Sequence, residues 1–326
     1  MLAWLNAYAR ARWHDFTGAG AAPASISWLF QSRSRILALG APRNTPWPVA
    51  VAKISRDAAS AERTQREHSN LLAIRERLPA PWVDSLPYPV GLEQVGNRVV
   101  AWERCLKGYP CPLPNEAPAS ASAESLSEVY RWLVNFQSAS SAGTQVVTDD
   151  VLESCLASPV AALLERSHVT NRARQRVRDV ARDLRGLAIP LTWRHGDLHP
   201  SNLLFLDGRL QGVIDWEMSR RADWPFYDWF QFLFEYHREL SRKRGPGVSR
   251  KGILEHTASL LFDGTCRQPE PVHSWTTRFL ANYGVGTEYA PILWLKYVAD
   301  VHWPEDRQAL ERVVVPSILH FASWDE

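Results

Sequence analysis

RHGDLHPSN, residues 194–202, sets His195, Asp197, His199 and Asn202 within nine residues. Two histidines around an aspartate, H-x-D-x-H, can form part of a metallohydrolase site. No further histidine cluster completes such a site, and that reading leaves Asn202 without a role. The residues that follow point elsewhere. LLFLDGRLQGVIDWE, residues 203–217, reads as strand, turn, strand, and Asp207-Gly208 suits a two-residue type I′ hairpin. Counting outward from the turn pairs Leu206 with Arg209 and sets Asn202 across from Val213. Asp215 then lies within about two residues of Asn202 across the antiparallel ladder. Two oxygen donors, Asn202 and Asp215, converge at one end of a hairpin, and Asp197 lies on the loop that enters it. A hard cation such as Mg2+ takes a carboxylate or two together with phosphate oxygens. Asp197 can accept a proton from a substrate hydroxyl, so the three side chains have the layout of phosphoryl transfer.

Upstream, the chain reads as strands with one helix. SISWLFQS (25–32) and RILALGA (35–41) are short apolar strands around the bend QSRSR, and WPVAVAKIS (47–55) is a third strand that carries Lys53. SAERTQREHSNLLAIRERL (60–78) has Leu71, Leu72 and Leu78 at helical spacing, and Pro79 and Pro81 stop it. Glu67 in this helix is the expected partner of Lys53 in preference to Glu62, because Leu71 and Leu72 then fall on the adjacent inward face. An exposed pair of this kind would contribute under about 1 kcal/mol. YPVGLEQV and RVVAWERC flank Gly96-Asn97 and form a hairpin, which brings backbone groups of Glu103 to Cys105 to the end of this region. LKGYPCPLPNEAPASASAESLS (106–127) is a connector rich in Pro, Ala and Ser, and from Glu124 the pattern is mainly helical, as in LSEVYRWLVNFQSA and RARQRVRDVARDLRGL.

The 326 residues, 45% hydrophobic and 22% charged, suit a globular protein of one large or two ordinary domains. A net charge of +2 asks for no nucleic-acid partner. Cys105, Cys111, Cys155 and Cys266 form neither a disulfide framework nor a C-x-x-C pair, which fits the cytoplasm. No run of about 18 apolar residues predicts a transmembrane segment. The first residues, MLAWLNAYARARWHDFTGAG, carry no secretory signal pattern. Leu2, Trp4, Leu5 and Tyr8 can form one face of a helix, docked on the first domain or lying on a membrane surface or dimer partner.

Together, VAK at 51–53, Glu67, HGDLHPSN at 195–202, IDWE at 214–217 and ADWPFYDWFQFLFEY at 222–236 make the chain resemble the aminoglycoside phosphotransferase and choline kinase family, over roughly residues 30 to 240. The resemblance implies an α+β, two-lobed, protein-kinase-like fold. A small antiparallel-sheet lobe for nucleotide binding, with the N-terminal helix, would span 1–103, and a larger, mainly helical catalytic and substrate lobe 104–326. It implies transfer of the γ-phosphoryl group of ATP, with Mg2+, to a hydroxyl of a sugar, amino alcohol or aminoglycoside-like acceptor. Asp197 would be the catalytic base, Asn202 and Asp215 the magnesium ligands, and Lys53, held by Glu67, the phosphate clamp. His195 would hold the loop and Asp228 would start a buried helix. Ser32 and Ser34 stand in the phosphate-covering loop, which has no glycine. Glu103 and Cys105 would meet the adenine edge, and Trp216, Glu217, Trp224 and Glu235 are candidates for the acceptor. An inactive nucleotide-binding scaffold and a protein kinase are the alternatives. The intact Asp197, Asn202, Asp215 and Lys53 oppose the first, and DWE followed almost at once by ADWPFYDW, with no activation segment, opposes the second.

Overall fold

Strand alternation at AVAKIS organises the N-terminal part of the chain. The computed structural model describes residues 1–18, 25–31, 35–42, 47–113, 119–242, 249–262, 272–301 and 307–324. Strands β1 (Ser25–Gln31), β2 (Arg35–Ala41), β3 (Ala50–Ser55), β4 (Tyr88–Val95) and β5 (Arg98–Arg104) form one antiparallel sheet in the order β1-β2-β3-β5-β4. Ala38, Ala50, Ala52, Ile54, Val100 and Trp102 face one side, where they form a buried cluster with Leu5, Ala9, Trp13 and Phe16. Those last four residues come from helices α1 (Leu2–Ala11) and α2 (Trp13–Thr17), so the N-terminal segment docks on the sheet. Tyr8 stacks on Trp102 at 4.9 Å between ring centroids. A strand reverses faces at every residue, so Arg35, Lys53 and Glu103 point to the opposite side.

Helix α3 (Ala58–Arg75) begins at a capping box. The Asp57 carboxylate accepts from the Ser60 N–H at 2.7 Å, and Ser60 Oγ accepts from the Asp57 N–H at 2.9 Å. The buried residues of α3 are Ser60, Thr64, Glu67, Leu71 and Ile74, a stripe at alternating steps of four and three. Glu67 therefore shares the inward face with Leu71, whereas Leu72 is exposed.

The hairpin predicted at 203–214 is present, as strands Leu203–Leu206 and Arg209–Val213, with Tyr109–Pro110 as a third strand. Asp207 and Gly208 both have positive φ, 52° and 76°, as a type I′ turn requires. Arg209 pairs with Leu206 as expected, but a register shift between Leu210 and Gly212 sets Val213 opposite Leu203 rather than Asn202. Gly212 packs where a Cβ would strike the Leu106 side chain, a close approach that a residue without a Cβ permits.

The chain forms two compact units. The first takes Met1–Cys111, His195–Asp197 and Ser201–Arg220; the second takes Pro112–Arg194, Leu198–Pro200 and Arg221–Glu326. The loop ends and the hairpin thus group with the N-terminal sheet, which a single cut after residue 103 does not express. The second unit is mainly helical. Strand Gly143–Val146 pairs there with Ala188–Arg194, which runs into the HGD stretch. Helix Phe226–Arg242 is buried nearly all round, with Phe230, Phe232, Phe234 and Tyr236 at 0% exposure, which marks it as the core of this unit. Among the described residues no helix is long and apolar enough to cross a membrane.

Replacing Asp57 by Ala removes the cap that starts α3. Urea unfolding is expected to show a loss of about 1 kcal/mol.

Candidate active site

The site is built around Glu67, which is 1% exposed. Its Oε1 accepts from Lys53 Nζ at 2.5 Å and from the Trp216 backbone N–H at 3.0 Å, and its Oε2 accepts from Arg35 Nη1 at 2.9 Å. One carboxylate thus ties β3, β2 and the turn after the hairpin to α3. Three residues further along α3, Asn70 donates to the Trp216 carbonyl at 3.0 Å. Lys53 pairs with Glu67 and not with Glu62, and it has a second carboxylate, Glu103 Oε1, at 3.0 Å.

The charges set each other. Burial disfavours the Lys53 ammonium, but Glu103, Glu67 and Asp215 outweigh it and raise Lys53 above the ordinary lysine range. Burial likewise disfavours the Glu67 carboxylate, and Lys53 and Arg35 outweigh it and hold Glu67 below the usual value. Glu103 goes the other way: burial raises it to about 7 against the attraction of Lys53, with the charge on Glu67 adding to the rise. Burial and then the Glu67 charge raise Asp215, against Lys53 and Arg35.

Asp215 sits in the left-handed region, at φ 68° and ψ 64°, just before the short turn Trp216–Met218. Asp tolerates this conformation better than most residues. Arg35 Nη1 lies 3.3 Å from Asp215 Oδ1, and Arg35 Nη2 is paired with Glu217, which also has Arg63 at 3.7 Å. Asn202 donates to the Asp197 carbonyl at 3.0 Å and lies 3.4 Å from Asp197 Oδ2, and its own carbonyl accepts from the Ile214 N–H at 2.9 Å. His195 is fully buried between these strands. Its Nε2–H donates to the Ile214 carbonyl at 3.0 Å and its Nδ1 accepts from the Asp197 N–H at 3.1 Å, which makes it a neutral brace of the loop and leaves neither nitrogen for a metal. Gly196 has φ 82°, and a Cβ there would meet the Met218 carbonyl at 2.4 Å, so the HGD stretch requires glycine at this position.

Among the described residues no group of three or more His, Cys, Asp or Glu could hold a metal ion. The donor set that remains, the Asn202 amide oxygen and the Asp215 carboxylate, fits a hard cation that completes its shell with phosphate and water oxygens.

Several expected site residues stand elsewhere. Ser32 and Ser34 lie outside the described residues. The Cys105 N–H donates to the Val49 carbonyl at 2.9 Å because the β3–β5 ladder continues past the strand end, so this donor is taken within the sheet. Burial raises its thiol to about 11. Glu103 enters the site through its side chain, with its backbone paired to Val51 and Pro89. Trp216 is fully buried, donates to the Val213 carbonyl at 2.8 Å and packs edge-on against His195, so it offers no wall to an acceptor. Glu217 faces Arg35 and Arg63. In the second unit Trp224 is buried and donates to Gln145 Oε1 at 3.1 Å, and Glu235 is buried and paired with Arg238 at 3.0 Å. Asp228 is buried in the first turn of helix Phe226–Arg242. Arg35 was not singled out from the sequence. Its signal was strand parity: it lies two residues before Leu37, which pairs with Lys53.

The APH phosphotransferase enzyme family matches residues 43–252. No curated protein sequence matches the chain. Among solved structures, aminoglycoside phosphotransferase APH(4)-Ia is similar with a TM-score of 0.53 at 12% identity, covering 99% of both chains. A thermostable mutant of the same protein, in a ternary complex with AMP-PNP and hygromycin B, has a TM-score of 0.52 at 12% identity and covers 97% of both. The macrolide 2'-phosphotransferase MphH of Brachybacterium faecium has a TM-score of 0.47 at 17% identity, covering 95% of this chain and 97% of that one. The two likenesses to APH(4)-Ia show the two-lobed, kinase-like α+β fold.

The burial of the Lys53–Glu67 pair changes its expected energetics, because removing one member of a buried pair strands the other. Glu67→Gln is expected to lower the unfolding free energy by about 3 kcal/mol, the lower end of the range for such breaks. Lys53 keeps Glu103, and Arg35 keeps Glu217, in that variant. Glu103 carries the opposite signature. Its folded value of about 7 exceeds its ordinary value of 4.5, so it contributes stability that is complete below 4.5 and is lost as pH rises through about 7. Unfolding free energies measured from pH 4 to 8 should fall less steeply in Glu103→Gln than in the wild type.

Proposed function

The chain belongs to the phosphotransferase enzyme family and is by that membership a small-molecule kinase, and we propose that it transfers the γ-phosphoryl group of ATP, with Mg2+, to a hydroxyl of a small acceptor. The observation that carries this reading is the buried tie of Lys53 to Glu67, because the same carboxylate holds the turn that follows Asp215. A lysine fixed in this way presents a permanent positive charge, and its flexible stem cannot swing away from the phosphates. Asp215 and Asn202 would hold the magnesium ion, which when bound neutralises charge on the phosphate oxygens.

Asp197 receives the proton. The acceptor oxygen attacks the γ-phosphorus, the bond from that phosphorus to the β–γ bridging oxygen breaks, and ADP leaves. The hydroxyl proton passes to the Asp197 carboxylate. The Asn202 amide, at 3.0 Å from the Asp197 carbonyl and 3.4 Å from its carboxylate, orients the base, and His195 fixes the backbone beneath it. The acceptor belongs to the class of sugars, amino alcohols or aminoglycoside-like molecules. Free thiols at Cys105 and Cys155 support a reducing, cytoplasmic setting.

The reading is tested by ADP release from ATP and Mg2+ with a panel of aminoglycosides, amino alcohols and sugars. Acceptor-dependent ADP release is expected, and nucleotide binding without it favours an inactive scaffold. Asp197→Asn is expected to bind nucleotide as the wild type does and to lose about two to four orders of magnitude in turnover. Near-normal turnover in that variant would remove Asp197 from the role of base.

A further inference from the structure

Arg35 is a buried arginine, 6% exposed, at the first residue of β2, and the mechanism above gives it no task. Strand parity puts it on the same face as Lys53. Its guanidinium reaches three carboxylates from two segments of the first unit. Nη1 is shared between Glu67 Oε2 at 2.9 Å and Asp215 Oδ1 at 3.3 Å, and Nη2 is paired with Glu217. The fork matters, because a planar guanidinium can serve separate acceptors at once and stays charged when buried.

The carboxylates need that charge. Glu67, Glu103, Asp215 and Glu217 face Lys53 and Arg35, with Arg63 at the edge. Glu67 is hydrogen-bonded by Lys53, Arg35 and the Trp216 N–H, and Glu103 has the Lys53 ammonium at 3.0 Å. Asp215 differs: its contact with Arg35 is the longer branch of a shared donor. A longer, shared hydrogen bond is the weaker one. Asp215 is also the carboxylate that the proposed function assigns to the metal.

We propose that Arg35 is an internal counter-cation for Asp215, so that loading of a divalent ion with nucleotide is an exchange of cations at this carboxylate. Arg35 releases Oδ1 of Asp215 to the ion and stays tethered through Glu67 and Glu217, which keeps the turn Trp216–Met218 on helix α3 during the exchange. Arg35 is thus a positioning residue with a cost: it competes with the ion it makes room for. This inference rests on the metal role of Asp215 in the proposed function.

The test reads metal binding and not turnover. Manganese is titrated into the wild type, Arg35→Met and Arg35→Lys in the presence of a non-hydrolysable ATP analogue, and free Mn2+ is followed by electron paramagnetic resonance. Removing one unit of charge a few ångströms from the ion, in a partly screened site, is expected to tighten Mn2+ binding about tenfold in Arg35→Met. Arg35→Lys keeps the charge and should stay within about threefold of the wild type. Unchanged or weaker Mn2+ binding in Arg35→Met would overturn the proposal, since a residue that clamps phosphates or only supports the fold would give that result. Should Arg35→Met fail to fold, crystal structures of the wild type alone and loaded with Mg2+ and the analogue decide the matter. The Arg35–Asp215 contact is expected in the first and lost in the second, and its persistence beside a bound ion would refute the exchange. A wild type that binds no metal–nucleotide at all sinks the proposed function, and this inference with it; normal wild-type binding with an indifferent Arg35 sinks this inference alone.

Discussion

A carboxylate taken out of water is tolerated only when nearly all its hydrogen-bonding capacity is met, and Glu67 meets this condition with three donors from three different elements. The requirement acts as a positional constraint. Helix α3 cannot rotate or slide by a residue without stranding a buried charge, and neither β2, β3 nor the turn at Trp216 can move away independently. Replacing such a pair with well-packed apolar side chains is often neutral or stabilising. The pair's structural return is uniqueness: of the packings open to an amphipathic helix against a sheet, it permits one.

That constraint works because the rest of the first unit is arranged to free one face of the sheet for charge. The other face is sealed by the N-terminal helices, where Leu5, Ala9, Trp13 and Phe16 pack on Ala38, Ala52, Ile54 and Trp102. Alternation then does the sorting. Trp102 goes under the helices and its neighbour Glu103 goes to Lys53, and Ala52 and Ile54 enter the apolar cluster on either side of Lys53. A sheet with both faces apolar would have no place for two buried cations, and one with both faces polar would have no core.

Much of this was legible in the sequence because it depends on short-range rules. The Asp-Gly turn, the alternation around Lys53 and the helical stripe that carries Glu67 each follow from a few neighbouring residues, and each stands in the structure. What escaped was set by longer-range packing. The hairpin register slips by one between Leu210 and Gly212, and Gly212 packs there against Leu106, a residue more than a hundred positions earlier. Trp216 and Trp224 stand in the sequence as candidates for the acceptor, yet each is buried with its indole N–H satisfied, a state that depends on what surrounds it. Arg35 was hidden at the edge of QSRSR, where a bend and the first residue of a strand look alike. The hairpin points to the backbone of Glu103, whereas strand parity across β3 and β5 sends its side chain to the face of Lys53.

The same parity explains why the carboxylates of the cluster differ in their hold on a proton. In water a lysine and a glutamate would each hold their ordinary proton affinity, but on this face burial and mutual charge separate the carboxylates. Glu67 is held ionised by Lys53 and Arg35, while Glu103 is pushed to about 7, where it can shed its charge near neutrality. Asp215, raised by burial and by Glu67, is held less firmly than Glu67 by the cations around it. A cluster of this kind relaxes its strain most when positive charge arrives at Asp215, the carboxylate with the weakest existing partner. Anything that brings such charge binds the folded state in preference to the unfolded one and stabilises it in proportion to that preference. The interaction that locks α3 to the sheet therefore also leaves Asp215 as the carboxylate that the buried cations hold least closely.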